Sequence, residues 1–174
     1  LASVLFCGPT GVGKTETVRT IARAMYGDAD AFCRIDMNTL SQEHYAAALT
    51  GAPPGYVGSK EGTTILDQEK IEGTRNLPGL VLFDELEKAS NEVVLALMNV
   101  FDNGILTVAS GERTYSFRNS LIFMSSNLGA RELMALDDAV AFTPRAIWAR
   151  LTSASKPRSE RAHDIVMRCL LERF

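Results

Sequence analysis

Residues 8–15 read Gly-Pro-Thr-Gly-Val-Gly-Lys-Thr, and this octapeptide constrains the fold more than any other part of the chain. It matches every fixed position of the pattern G-x-x-x-x-G-K-[ST], in which backbone N–H groups of a glycine-rich loop surround phosphates. The pattern needs a strand before it and a helix after it. Residues 4–7 are apolar, as in a buried strand, and apolar residues recur at helical spacing over 18–25 before Gly27. The sequence therefore predicts a strand–loop–helix unit that binds nucleotide phosphates.

Each part of the octapeptide has a predicted role. The three glycines let the backbone curl with its N–H groups turned inward, and the following helix N-terminus favours an anion. Lys14 is expected to reach the β- and γ-phosphates, and the Thr15 hydroxyl is expected to bind Mg²⁺. The predicted nucleotide-binding residues are Gly8, Pro9, Thr10, Gly11, Val12, Gly13, Lys14 and Thr15.

Composition excludes several other classes of protein. The 174 residues suit a single domain, and 46% hydrophobic content is ordinary for a globular chain. A net charge of −3 gives no basic surface for nucleic acid. Three widely spaced cysteines indicate neither a disulfide framework nor a zinc site. No secretory signal or run of about 18 apolar residues is visible, so we expect a cytoplasmic protein without a membrane partner.

Strand and helix patterns alternate along the chain. Strands are predicted at 31–37, 79–84 and 121–126, in addition to the first, and a hairpin is predicted from 105–108 and 114–117. Helices are predicted from Ser41 to about 49, at 63–72, after Ser90, from Asn127 and at 160–174, with a loop at 51–62 and an irregular excursion at 137–160. This alternation predicts an α/β fold with a parallel sheet, helices on both faces and a ligand at the carboxyl ends of the strands.

The strand at 79–84 ends in two acidic residues. Asp84 is expected to hold Mg²⁺ through water, and Glu85 is placed to activate the attacking water as a general base. The alternative is an acid-rich helix N-terminus. If the strand at 121–126 lies between the first and third, Asn127 faces the γ-phosphate and orients the water; otherwise Asn127 is a helix N-cap. No Asn-Lys-x-Asp run supports GTP, so ATP hydrolysis is the expected reaction.

Several further motifs occur in one order. They are Arg-Ile-Asp-Met at 34–37, Gly-Ala-Pro-Pro-Gly-Tyr-Val-Gly at 51–58, Val-Leu-Phe-Asp-Glu-Leu-Glu-Lys-Ala at 81–89, Phe-Arg-Asn-Ser at 117–120 and Ser-Ser-Asn-Leu-Gly at 125–129. With the octapeptide they make residues 1 to about 133 resemble the Clp/ClpB-type AAA+ ATPases, most closely the second ATPase module of ClpB-like disaggregases. The resemblance weakens over 137–160 and resumes in the last helix.

The resemblance implies a large α/β subdomain of a P-loop NTPase working in a ring, usually a hexamer. Gly55, Tyr56, Val57 and Gly58 would form a pore loop whose aromatic side chain grips a threaded polypeptide, and the hairpin tip near Gly111 and Arg113 is similar to a secondary pore loop, unless it is a plain solvent-facing hairpin. The family's helical lid, fifth strand and trans-acting arginine have no counterpart here. We therefore expect residues 1–174 to be a single subdomain of a longer protein, with the lid subdomain absent.

The expected function is ATP-driven unfolding or remodelling of polypeptides by threading. The expected cofactors are ATP and Mg²⁺. The expected partners are a polypeptide substrate and copies of the same chain, and a protease or adaptor is a further candidate partner. Alternatives are a remodeller dedicated to one assembly, such as a secretion sheath, and a nucleotide-switched binding module with little turnover. A DNA-acting motor would need basic loops, for which Lys60 and Arg113 give little support.

Overall fold

A computed structural model describes residues 1–41, 66–107, 114–138 and 158–173. The chain forms two compact units, one of Leu1–Phe6 and Gly13–Ser126 and the other of Cys7–Val12 and Asn127–Phe174. In chain order the elements are β1 (Ala2–Cys7), α1 (Lys14–Tyr26), β2 (Cys33–Asp36), α2 (Gln68–Glu72), β3 (Gly79–Asp84), α3 (Asn91–Asn103), β4 (Ile105–Thr107), β5 (Thr114–Ser116), β6 (Ser120–Ser126), α4 (Ala130–Asp138) and α5 (Arg158–Arg173). Short 3₁₀ helices occupy Thr39–Ser41 and Leu86–Lys88.

Four strands form a sheet in the order β1-β6-β3-β2. The predicted parallel pairing is confirmed, since β3 runs parallel to β2 on one side and to β6 on the other. The predicted hairpin is confirmed as an antiparallel pair of β4 and β5. Its tip, 108–113, lies outside the described residues. This strand order brings the ends of β2, β3 and β6 to one edge of the sheet.

Strand β3 is buried along its whole length because both faces of the sheet are covered. Successive side chains of a strand point to opposite faces. Val81 and Phe83 accordingly pack in the core cluster that contains α3, whereas Leu80 and Leu82 pack in the cluster that contains Val18 of α1. Helices therefore lie on both faces of the sheet, as the alternating sequence pattern predicted.

The helix starts show where side-chain caps override apolar periodicity. Ser90 caps α3 as predicted, accepting a hydrogen bond from Val93 N at 3.4 Å. Residues 63–65 of the helix predicted over 63–72 lie outside the described residues. Within the described part the helix begins at Gln68, because Asp67 is extended and accepts a hydrogen bond from Lys70 N at 3.2 Å. Ser41 is the last residue of a 3₁₀ helix, and the helix that it is predicted to cap lies outside the described residues, so that prediction is untested.

Helical spacing predicts one apolar face of α3, and the structure differs from it at one position; the predicted residues are Val93, Val94, Leu97, Met98 and Phe101. Val93 and Leu97 are buried, but Met98 is 54% exposed and Val100 takes the next buried place. Positions separated by four and then three residues follow the turn of a helix, and they carry the buried stripe past Met98.

The second unit contains α4 and α5. Helical spacing predicts an apolar stripe on α5 formed by Ala162, Ile165, Val166, Cys169 and Leu170. All five of these residues are partly buried. Gly129, just before α4, lies against α5, since a Cβ at this position would lie 3.4 Å from Ile165 Cγ2 and 3.6 Å from Cys169 Sγ. Residues 137–138 and 158–160 are helical, so the excursion predicted over 137–160 is wrong at both ends; its middle, 139–157, is outside the described part.

All three cysteines lie in described residues, and none forms a disulfide. Both Cys33 and Cys169 stand at apolar positions of regular elements, which predicts that they belong to the core. Cys33 is buried, and burial raises the pKa of its thiol above the usual value. Cys169 is only partly buried. Among the described helices, none combines the length and apolar composition needed to cross a membrane.

We expect Gly79→Ala to destabilise the first unit by about 3 kcal/mol, because a Cβ there would lie 1.9 Å from the Ile71 carbonyl oxygen at the end of α2. Gly27→Ala is the matched control: its φ is 77°, but nothing lies within 4 Å of the added Cβ, so only the left-handed backbone should cost about 1 kcal/mol. Urea denaturation of both variants measures the difference. Equal losses would contradict the close approach of α2 to β3.

Candidate active site

Helix α1 begins without a capping side chain. Its N-cap, Gly13, has φ 95° and ψ 17°, a left-handed conformation that a residue with a Cβ rarely adopts. No side chain of the N-cap residue therefore competes for the N–H groups of the first turn, where the helix dipole favours an anion. Lys14 and Thr15 open the helix and are partly buried. The strand, loop and helix predicted around the octapeptide are all present.

Asp84 ends β3 and is 6% exposed. Both of its carboxylate oxygens have partners on neighbouring strands. Arg34 of β2 donates from Nε to Oδ2 at 3.0 Å and from Nη2 to the same oxygen. Ser125 of β6 donates its hydroxyl to Oδ1. A buried carboxylate needs such partners, and here two adjacent strands supply them.

Sequence reasoning missed the parts played by Arg34 and Ser125. Arg34 lies in the motif at 34–37, and Ser125 lies in the motif at 125–129. The available signals were an ionic side chain between the buried residues Cys33 and Ile35 and a small hydroxyl two residues before Asn127. Neither signal names a partner, because 50 and 41 residues separate them from Asp84.

Glu85 has an unusual backbone conformation. Its φ of 58° and ψ of 52° are left-handed, and it is the one residue other than glycine with positive φ among those described. Such a residue stores strain that is common at functional sites. Its N–H donates to Ser125 Oγ at 3.0 Å, and its carbonyl accepts from Lys88 N at 2.8 Å.

The alternative interpretation, an acid-rich helix N-terminus, is met in one respect, because a 3₁₀ helix follows Asp84 with Glu85 as its N-cap residue and Glu87 in its first turn. The Glu85 side chain, however, makes no capping hydrogen bond. The next acid, Glu87, accepts a hydrogen bond from the Ser126 hydroxyl at 2.8 Å. The two acids that follow Asp84 therefore have different hydrogen-bond environments.

The condition set for Asn127 is met, since β6 lies between β1 and β3. Asn127 directly follows β6 in the second unit. The N-cap alternative is wrong: α4 begins at Ala130, and Gly129 O accepts the first helical hydrogen bond, from Leu133 N at 2.8 Å. Asn127 contributes its carbonyl to Ala130 N at 3.1 Å. Its orientation of a water molecule stays a prediction.

The donor atoms predicted for Mg²⁺ fit that ion. Asp84 offers a carboxylate and Thr15 a hydroxyl, the hard oxygen donors that Mg²⁺ prefers. Asp84 Oδ1 accepts one hydrogen bond from Ser125, and a carboxylate oxygen can accept a second, for example from a metal-bound water. Over the described ranges, no group of three or more His, Cys, Asp or Glu side chains could hold a metal ion.

The predicted pore loop, Gly55, Tyr56, Val57 and Gly58, lies outside the described residues, as do Gly111 and Arg113 of the hairpin tip. Only the supports of these segments are described. Asp67 and α2 follow the first, and the paired strands β4 and β5 flank the second.

Comparison with known proteins places the whole chain in one group. The family described as AAA domain (Cdc48 subfamily) matches residues 1–174. A Pseudomonas aeruginosa protein named "ATP-dependent protease ATP-binding subunit-like protein AmiB" is 62% identical over all of this chain and 46% of its own length. A Rhodococcus erythropolis protein, "ATP-dependent protease ATP-binding subunit-like protein", is 49% identical over all of this chain and 48% of its own length.

Other relatives match less of the chain. The Staphylococcus aureus protein "ATP-dependent Clp protease ATP-binding subunit ClpC" is 47% identical over 133 residues, which are 76% of this chain and 16% of that protein. Among solved structures, the Saccharomyces cerevisiae Hsp104–ADP complex matches 99% of this chain and 26% of its own, at 30% identity and a TM-score of 0.70. The chain thus spans less than half the length of these relatives. The expected loss of resemblance over 137–160 is not seen in the family model or in the first two relatives, all of which match the whole chain.

Proposed function

Because the chain belongs to the AAA domain family (Cdc48 subfamily) as a module of the Clp/ClpB type, we propose that it binds ATP with Mg²⁺ and hydrolyses it to unfold or remodel polypeptides. The observation that carries the proposal is the arrangement after β3. The buried carboxylate of Asp84 is hydrogen-bonded at both oxygens, and the next residue, Glu85, has a left-handed backbone. Metal-supported attack by water needs these two acids in separate roles.

Six residues divide the chemical work. The backbone at Gly13 and the Lys14 ammonium bind the phosphates. Thr15 and Asp84 would hold Mg²⁺, which would neutralise phosphate charge there. Glu85 accepts a proton from the attacking water while the water oxygen forms a bond to the γ-phosphorus. The bond between the γ-phosphorus and the oxygen that bridges it to the β-phosphate breaks, and ADP leaves. Asn127 orients that water.

Adenine rather than guanine is the proposed base. The sequence contains no Asn-Lys-x-Asp run, and the structural neighbour is an ADP complex. Phosphate release by the full-length protein, measured with ATP and GTP and with or without Mg²⁺, tests this step. Mg²⁺-dependent release from ATP supports the proposal; release from GTP alone, or tight ATP binding without turnover, would replace it with a GTPase or a nucleotide-switched binding module.

Hydrolysis is proposed to move polypeptide through a ring of identical modules, usually six, with Tyr56 as the gripping residue and a protease or adaptor as a possible partner. The support is the family together with the Gly-Tyr-Val-Gly sequence at 55–58, where glycines free an aromatic that offers a large contact area. The use of ATP and the absence of disulfides favour the cytoplasm.

Tyr56→Ala in the full-length protein is expected to lower the unfolding rate of a tagged fluorescent protein roughly tenfold or more, while ATP turnover stays within about threefold, because the aromatic contact area is lost. Tyr56→Phe is the matched control and should keep most of the unfolding rate. A wild-type protein that hydrolyses ATP but unfolds nothing, or a Tyr56→Ala variant that unfolds normally, would favour a remodeller dedicated to one assembly.

A further inference from the structure

One hydroxyl joins the two acids of the candidate site. Ser125 Oγ accepts the Glu85 N–H at 3.0 Å and donates to Asp84 Oδ1. The two directions are forced, because a backbone N–H can only donate and a serine hydroxyl has one proton to give. Ser125 is 1% exposed, so water does not readily replace either bond. A single buried atom therefore connects the predicted metal ligand to the backbone of the predicted general base.

The bond to Glu85 matters because of the conformation it holds. Glu85 is left-handed, a state that an L-residue with a Cβ leaves unless its surroundings fix it. The surroundings fix it at both ends: Ser125 Oγ holds the N–H, and Lys88 N holds the carbonyl. The direction of the Glu85 side chain follows from these φ and ψ values.

Asp84 depends less on Ser125. Arg34 binds Asp84 Oδ2 through two nitrogen atoms and is independent of β6. Met37 N also donates to the Asp84 carbonyl at 2.9 Å and fixes the end of β3 against the residue after β2. Loss of the Ser125 hydroxyl should therefore release Glu85 more than Asp84.

We propose that Ser125 is a positioning residue for hydrolysis, which sets the direction of the Glu85 carboxylate by accepting its backbone N–H while anchored on Asp84. The inference rests on the proposed function, since it assumes that Glu85 activates water. It adds a residue on β6 that acts through Glu85 without touching the nucleotide.

The test compares Ser125→Ala with Ser126→Ala in the full-length protein. Ser126 is the matched control: it is the next residue of β6, is 0% exposed, and its hydroxyl donates to the Glu87 carboxylate at 2.8 Å. Both variants lose one buried hydroxyl and one bond to a carboxylate. We expect Ser125→Ala to lower kcat for ATP about 10- to 100-fold with KM within about threefold, because a small displacement of a catalytic group has effects of this size. Ser126→Ala should keep kcat within about threefold.

A double-mutant cycle separates positioning from a general structural effect. In a Glu85→Gln background, single-turnover hydrolysis should change less than about twofold on adding Ser125→Ala, since the group through which Ser125 acts is already gone. Thermal unfolding and nucleotide titration of each variant establish that it is folded and binds. If Ser125→Ala does not fold, two other variants are compared in its place. Ser125→Thr keeps the hydroxyl, whereas Ser125→Cys replaces it with a thiol, a weaker hydrogen-bonding group. We expect kcat of the threonine variant to exceed that of the cysteine variant by about fivefold or more.

The outcomes distinguish the two proposals. A wild-type protein without Mg²⁺-dependent ATP hydrolysis overturns the proposed function and this inference together. An active wild type in which both alanine variants lose kcat equally, or in which Ser125→Ala lowers the rate by the same factor with and without Glu85, overturns the positioning role alone.

Discussion

Glu85→Gln is expected to reduce ATP turnover by about 10²–10⁴-fold while nucleotide affinity changes little, the size of effect that removal of a general base produces. Glutamine keeps the shape of the side chain and leaves the backbone bonds to Ser125 and Lys88 in place, but its amide cannot accept a proton from water. A loss confined to kcat would show that the carboxylate acts in the transition state rather than in binding.

The measurement is phosphate release under saturating ATP, together with titration of a fluorescent ATP analogue. Glu87→Gln is the control, because Glu87 lies two residues further along the same turn and accepts a hydrogen bond from Ser126. It should retain turnover within about threefold. Equal losses in both variants would mean that the turn tolerates no neutral replacement and that Glu85 has no special part in the chemistry.

Lys14→Ala is expected to weaken ATP binding roughly 10–100-fold and to abolish turnover at ordinary ATP concentrations, because a charge-assisted bond to phosphate is lost. Lys14 is the first residue of α1 and directly follows the left-handed Gly13. Its side chain is therefore attached at the helix end where an anion is favoured. ADP should bind more weakly as well, but by a smaller factor, because the lysine is expected to serve the γ-phosphate in addition to the β-phosphate.

Calorimetric titration with ATP and ADP checks this expectation. Lys88→Ala is the control, since Lys88 is an exposed lysine in the short helix after β3, and its backbone N–H bond to Glu85 survives the substitution. Its affinity for ATP should stay within about twofold. An unchanged affinity of Lys14→Ala for ATP would mean that the octapeptide is not part of the nucleotide site.

Much of the fold was predictable because its signals are local. The strand at 79–84 was placed with the bounds that the structure has, since an apolar run between a proline and two acids leaves little choice. The Ser90 cap and the apolar stripe of α5 depend on residues three or four apart. The errors at 66–67, 127–129 and Met98 share one cause: periodicity shows that a helix exists, whereas caps and tertiary packing decide where it starts and which side is covered.

The sequence by itself determined the phosphate loop, its strand and helix, and the acid pair after β3, because each is a contiguous run whose chemistry lies in residue types at fixed spacing. Only the tertiary structure decided that β6 lies between β1 and β3, that Arg34 and Ser125 hold Asp84, and that Glu85 is left-handed. These features depend on strand order and register. A hydrogen bond between strands joins residues far apart in the chain, and no local pattern records which strands become neighbours.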